Sequence, residues 1–259
     1  LYFYEPFLEA FDPDLRKQLG VWYTPWEIVH YQVRKVDRLL REELGCARGF
    51  ADERVVVLDP CCGTGAYLIE VVRCVADELR REGAGALLGA KLLDAFCKRI
   101  LGFEILTAPF VVAQLQLYLL LADLGVAPDA EHRPAVYLTN ALTGWEGGEQ
   151  LRLNFPELQR EHDAARRVKR EERIIVILGN PPYNRFAGVP IDEEKDLADR
   201  YKGIHRDEAS RQVGQSELYR RFGIRKHLLD DLYVRFFRLA GKQIGERAPG
   251  REGERCTLD

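Results

Sequence analysis

The chain has no methionine in its 259 residues, begins on Leu1 and holds only five histidines. A natural reading frame ordinarily keeps its initiator or a few internal methionines, so the absence reads as the mark of a fragment. No apolar run is long enough to span a bilayer. The longest, around 111–121, is broken by Gln114 and Gln116 and reads as a buried helix. The N-terminus is acidic and aromatic, "LYFYEPFLEAFD", which is no secretory leader. The six cysteines (Cys46, Cys61, Cys62, Cys74, Cys97 and Cys256) form no C-x-x-C pair and have no histidines at ligand spacing. That argues against a zinc site, and the expectation is no metal, with free thiols in a reducing cytoplasm.

An excess of one charge is also missing. With 38 basic and 41 acidic residues the net charge is −3, so the whole surface does not attract nucleic acid. Two local stretches are basic: Arg166, Arg167, Lys169, Arg170 and Arg173, and then Arg220, Arg221, Arg225, Lys226 and His227. Both lie among acids in helical-looking segments, the pattern of a solvated helix face.

What is present is 46% apolar residues, enough for one large domain or one domain with appendages. Helical spacing runs from Trp26 to Leu44 and stops at Gly45. A branched strand, "RVVVLDP", leads into a glycine turn and a helix, with a second helical segment near 86–99. "RILGFEI" is a second strand, "APFVVAQLQLYLLLADLG" an apolar helix and "AVYLTN" a third strand. A charged helix, "PELQREHDAARRVKREE", precedes the fourth strand, "RIIVILGN". A polar stretch over 184–209 reads as a loop, and a last amphipathic helix covers 232–246. Strands without alternation, separated by helices, indicate a mainly parallel, doubly wound α/β sheet covered on both faces. The expected organisation is an N-terminal helical segment over 1–50, a core over 51–183, and a loop, helices and tail over 184–259.

"DPCCGTG" puts Asp59 at the carboxyl end of the first strand, where open α/β sheets bind ligands. Gly63 and Gly65 let backbone approach a ligand, and the following helix offers N–H groups. Leu68 stands where a dinucleotide fingerprint needs its third glycine, and no Gly-Lys-Ser/Thr completes a phosphate loop. An acidic glycine turn without phosphate-binding residues suits an uncharged nucleoside carrying an amino acid. Glu104, ending the second strand, can accept from ribose hydroxyls, and Asn140, ending the third, can pair with an adenine edge. The bland alternative for each is a polar strand end at the solvent boundary.

"DPCCGTG", "GFEI" and "GNPPY", in that order, resemble the motifs of N6-adenine DNA methyltransferases that use S-adenosylmethionine. "GVWYTP", ahead of the glycine turn, resembles the additional cofactor motif of the subgroup whose target-recognition part follows the catalytic part. The ordered set, ending in "LYVRFFR", looks most like the methylase region of large single-chain restriction–modification enzymes and covers nearly the whole chain. The resemblance implies a sheet of the S-adenosylmethionine-dependent methyltransferase type, incomplete at its C-terminal side. It implies that Tyr23, Thr24 and Pro25 close over the methionyl end, that Asp59, Gly63 and Gly65 line the amino-acid part, and that Glu104 and Asn140 hold ribose and adenine. It also implies double-stranded DNA as partner, target-recognition, helicase or nuclease parts on the same parent chain, and no membrane.

The exocyclic amine of adenine is a poor nucleophile because its lone pair is delocalised into the ring. Acceptors aimed at its hydrogens stabilise the positive charge that develops during attack, the mirror image of an oxyanion hole. The Asn180 side-chain oxygen and the Pro181 carbonyl are the expected acceptors, and Tyr183 the aromatic on which a flipped base stacks. Two rival readings remain at this stage. One is an amino-group methyltransferase acting on protein glutamine or RNA, the other a cofactor-binding scaffold inactive as it stands. In the second case the fourth strand is a bare edge.

Overall fold

Branched aliphatic residues are stiff and pack well on a pleated surface, and the stretches richest in them form the sheet. The computed structural model describes residues 24–127, 132–145, 156–182, 194, 197 and 231–246. In it β1 is Val57–Asp59, β2 Ile100–Glu104, β3 Val136–Leu138 and β4 Val176–Ile177. The strands are ordered β3-β2-β1-β4 and every pairing is parallel. Leu58 faces Leu101 on one side and Ile177 on the other. All of β1 and β2 is buried, which explains why neither alternates in polarity. The architecture is doubly wound α/β with a helix ahead of the first strand, as the sequence indicates. Among the described residues β4 is an edge.

The helices follow the predicted order: α1 Trp26–Glu42, α2 Ala66–Arg81, α3 Leu88–Asp94, α4 Thr107–Asp123 and α5 Pro156–Glu171. Eleven residues of α2 are buried, so this is the central helix of the core. A polar ladder holds α1 against it. His30 Nδ1 lies 2.7 Å from Glu70 Oε1, Tyr67 bonds to Gln32, Arg34 reaches Asp77 at 3.3 Å and Arg41 reaches Glu78 at 3.0 Å.

Two segments depart from expectation. The apolar run of α4 is buried on one face only, through Pro109, Ala113, Leu117, Leu120 and Leu121. Val111, Leu115 and Leu119 are more than half exposed, because a four-residue spacing keeps them together on the opposite face. The helical segment near 86–99 is compound: a 3₁₀ turn at Gly85–Leu87, then α3, then a wide π turn at Ala95–Arg99. The extra residue of the π turn lets Ala95, Phe96 and Arg99 all bury. Arg99 Nη1 then donates to the carbonyls of Asp52 at 2.9 Å and Val55 at 3.1 Å.

The chain divides into two compact units, one comprising Leu1–Tyr4 and Tyr23–Asn180, the other Glu5–Trp22 and Pro181–Asp259. Everything above belongs to the first. In the second, α6 spans Leu232–Gly241, and its buried Arg235 is paired with buried Glu194 at 2.9 Å. Within the described residues no helix is long and apolar enough to cross a membrane.

Candidate functional site

The chain steps outward from β1 through β2 to β3, then returns to place β4 on the other flank of β1. Strand order reverses there, and open α/β sheets hold ligands at the carboxyl ends beside such a reversal. Asp59 ends β1 at that point and Asn180 follows β4.

The glycine turn is built by its backbone. Gly63 has φ +55° and Gly65 φ +89°, a region that side chains rarely enter. Gly65 caps α2 from that conformation with no side-chain hydrogen bond, leaving the helix terminus to backbone groups. Cys62 N–H donates to the Phe103 carbonyl at 2.9 Å and Gly63 N–H donates to Glu104 Oε2 at 2.9 Å, which lays the turn across the end of β2. Glu104 Oε1 accepts from the backbone of Ile105 at 2.9 Å and Leu106 at 2.8 Å. Burial raises the Glu104 carboxyl above its ordinary range, against the pull of these three N–H donors.

Asp59 is 1% exposed. Its Oδ1 accepts from Cys61 N–H at 3.1 Å, and its Oδ2 is buried without a hydrogen-bond partner. Burial is the main reason its carboxyl is pushed up to about 7, opposed by the Cys61 N–H and reinforced by the nearby Glu104 charge. The same carboxylate packs on the strand that leads to Asn180. A Cβ on Gly179 would stand 3.1 Å from Asp59 Cγ and closer still to Oδ1. The pairing of Leu178 N–H with the Leu58 carbonyl at 3.0 Å sets this register. Glycine is required at 179 for space.

Asn140 is brought to the same edge. Thr139 N–H donates to the Glu104 carbonyl at 2.7 Å, extending β3 beside β2 past the regular strand. The Asn140 side-chain oxygen accepts from Leu142 N–H at 2.9 Å and so folds its own loop back. Trp145 closes that loop, buried with its indole N–H on the Ala141 carbonyl at 2.6 Å and its ring edge-on to Phe103.

Asp59, Gly63, Glu104, Asn140 and the residue before Asn180 are thus linked through β1, β2 and their loops. Thr24 and Pro25 lie ahead of α1, where the Pro25 carbonyl accepts from Ile28 and Val29. No described contact joins them directly to the glycine turn; α1 reaches it through α2. Pro181 opens the second unit. Tyr23 and Tyr183 lie outside the described residues.

Two residues escape a motif-based reading. Gly179 was visible only as part of "GNPPY". Lys169 sits in a basic run that reads as solvated, yet it is 3% exposed. Its Nζ donates to Thr139 Oγ1 at 2.9 Å, the Asn140 carbonyl at 2.7 Å and the Thr143 carbonyl at 2.9 Å. Helical spacing carried the signal, since Ala165 and Val168 are buried and Lys169 falls on their face.

Several solved structures share the fold. The ATP-dependent Type ISP restriction-modification enzyme LlaBIII bound to DNA matches with TM-score 0.69 and 21% identity, over 93% of this chain and 15% of that one. The DrdV–DNA complex matches with TM-score 0.64 and 24% identity, over 93% and 21%. A nuclease-deletion mutant of the Type ISP restriction-modification enzyme LlaGI, in complex with a DNA substrate mimic, matches with TM-score 0.67 and 20% identity, over 95% and 19%. The chain therefore spans about a fifth or less of these proteins. No curated protein matches it. The N-6 DNA Methylase family model matches residues 2–211, and the chain belongs to that family.

Proposed function

We propose that this chain is the catalytic region of a restriction–modification enzyme that transfers a methyl group from S-adenosylmethionine to N6 of an adenine flipped out of duplex DNA. The observation that carries the proposal is the contact of Asp59 with Gly179, because it joins the glycine turn to the strand leading into Asn180. The proposed partner is double-stranded DNA, with target-recognition, helicase or nuclease parts on the same parent chain.

The residues fit the cofactor. Asp59 is a buried carboxylate with an unpartnered oxygen, beside an acidic neighbour, and a cationic ligand at the turn answers that charge. When bound, S-adenosylmethionine supplies an activated methyl group on a sulfonium. Gly63 and Gly65 leave room at the amino-acid end, over which Tyr23, Thr24 and Pro25 close. Glu104 Oε2 already holds the Gly63 N–H and keeps one lone pair for a ribose hydroxyl. Asn140, whose side-chain oxygen accepts from Leu142 N–H at the end of β3, is the residue that meets the adenine edge.

On the substrate side, the Asn180 side-chain oxygen accepts one hydrogen of the target amine and the Pro181 carbonyl the other. Both gain strength as the nitrogen turns tetrahedral and positive, so the chain needs no strong base. Flipping the base costs a few kcal/mol, and stacking on Tyr183 returns about 1–3 kcal/mol.

Transfer of labelled methyl from the cofactor to duplex DNA by the intact enzyme, followed by nucleoside analysis, tests the reading. Label on N6 of adenine is expected, and Asn180→Ala should lower turnover roughly 10²–10³-fold. Label in protein glutamine or RNA with none in DNA refutes the proposal.

A further inference from the structure

We infer that Lys169 is a positioning residue for the adenine end of the cofactor pocket, acting through the loop that carries Asn140. The inference rests on the cofactor reading above. An ammonium has three protons to donate, and Lys169 Nζ places three hydrogen bonds on one short loop, at Thr139, Asn140 and Thr143. Burying such a charge is unfavourable unless it is fully hydrogen-bonded, so an apolar side chain would be the simpler way merely to dock a helix. The charge is what gathers the Asn140 and Thr143 carbonyls to one point and so fixes the backbone that carries the Asn140 side chain.

A second contact fixes the same group laterally. Lys169 Nζ lies 5.2 Å from the centre of the Phe103 ring, the residue before Glu104. The ribose-side carboxylate and the adenine-side amide are thus referred to one ammonium. Glu161, two turns earlier on α5, accepts from Leu138 N–H at 3.1 Å and pairs with Arg133. These two anchors lock α5 onto the end of β3, and α5 continues into β4 and Asn180. The helix that carries the chain to the substrate side therefore also sets the cofactor side.

Calorimetric titration with S-adenosylhomocysteine and with its inosine analogue, which replaces the purine amine with an oxo group, measures how well the adenine edge is read. The wild-type chain should prefer adenine by about tenfold, the value of one well-made hydrogen bond. Lys169→Met should lose most of that preference, as should Asn140→Ala, and the double variant should lose no more than either alone. A lowered melting temperature with the preference intact marks an ordinary anchor and overturns the inference, as does additive loss in the double variant. A wild-type chain that binds neither ligand, or binds both equally, overturns the adenine-pocket reading and this inference with it. Should Lys169→Met fail to fold, Thr139→Val deletes one of the three acceptors, and an unchanged preference there also overturns the inference.

Discussion

Asp59 gives the sharpest test of how the glycine turn is built. In the unfolded chain its carboxyl titrates near 3.8, and in the folded chain burial pushes it up to about 7. Between those values the folded chain holds a proton that the unfolded chain has released. Its contribution to stability is therefore full below about pH 4 and is lost as pH rises through 7. A gap of about three pH units at ~1.4 kcal/mol each makes the swing about 4 kcal/mol. Asn is the isosteric mimic of the protonated acid and keeps an oxygen for the Cys61 N–H. Asp59→Asn should match the wild type in denaturant unfolding below about pH 4, exceed it by about 1.5 kcal/mol at pH 5 and by up to about 4 kcal/mol at pH 8. Taking the difference between the two proteins cancels every titrating group that does not interact with Asp59. A difference that is the same at pH 5 and pH 8 refutes the account. The same carboxylate should favour the cationic cofactor over its neutral, demethylated product increasingly between pH 5 and 8, an increase that Asp59→Asn removes.

Other perturbations follow from the packing. Gly179→Ala introduces a Cβ 3.1 Å from Asp59 Cγ and 3.4 Å from Cys61 Sγ without any backbone penalty from a positive φ. It should cost about 1–3 kcal/mol in denaturant unfolding, and a wild-type midpoint would show that the carboxylate moves aside freely. Arg99→Met leaves the part-buried carbonyl of Asp52 and the buried carbonyl of Val55 without this donor and should cost about 2–3 kcal/mol, read by the same assay. Because Arg99 lies just before β2 and Glu104 at its far end, cofactor affinity should be unaffected at a temperature where the variant is folded.

The order and type of the elements are legible in the sequence because each carries its own period. Val57–Asp59 and Ile100–Glu104 show the unbroken apolar pattern of strands buried on both faces. α1 and α2 show helical spacing. The site's acids are legible for the same reason, since Asp59 and Glu104 end their strands. What stays hidden depends on partners distant in the chain. Whether α4 buries one face or two is a property of what lies beyond it. That Lys169 folds inward while Arg167 and Arg170 stay exposed is decided by three acceptors some 30 residues earlier. The π turn that sends Arg99 beneath the core is likewise selected by carbonyls at Asp52 and Val55, which no local propensity announces.

The junction after β4 shows how the parts constrain one another. A strand paired with β1 must pass the Asp59 carboxylate, and only a residue without a side chain passes it, so Gly179 is settled by the end of β1. Past that point the strand must stop pairing, or its carbonyls would be taken up by a neighbouring strand. Two consecutive prolines achieve this, because neither has an N–H for a ladder and each biases the residue before it away from helix. Asn180 sits between these requirements, after a glycine set by the Asp59 carboxylate and before two prolines that end the ladder. The carboxyl end of a strand beside a reversal in strand order is where open α/β sheets present residues to a ligand, and Asn180 occupies that place. The apolar run before it supplies rigidity, the glycine supplies closeness to the turn, and the prolines keep the backbone from folding back over the amide.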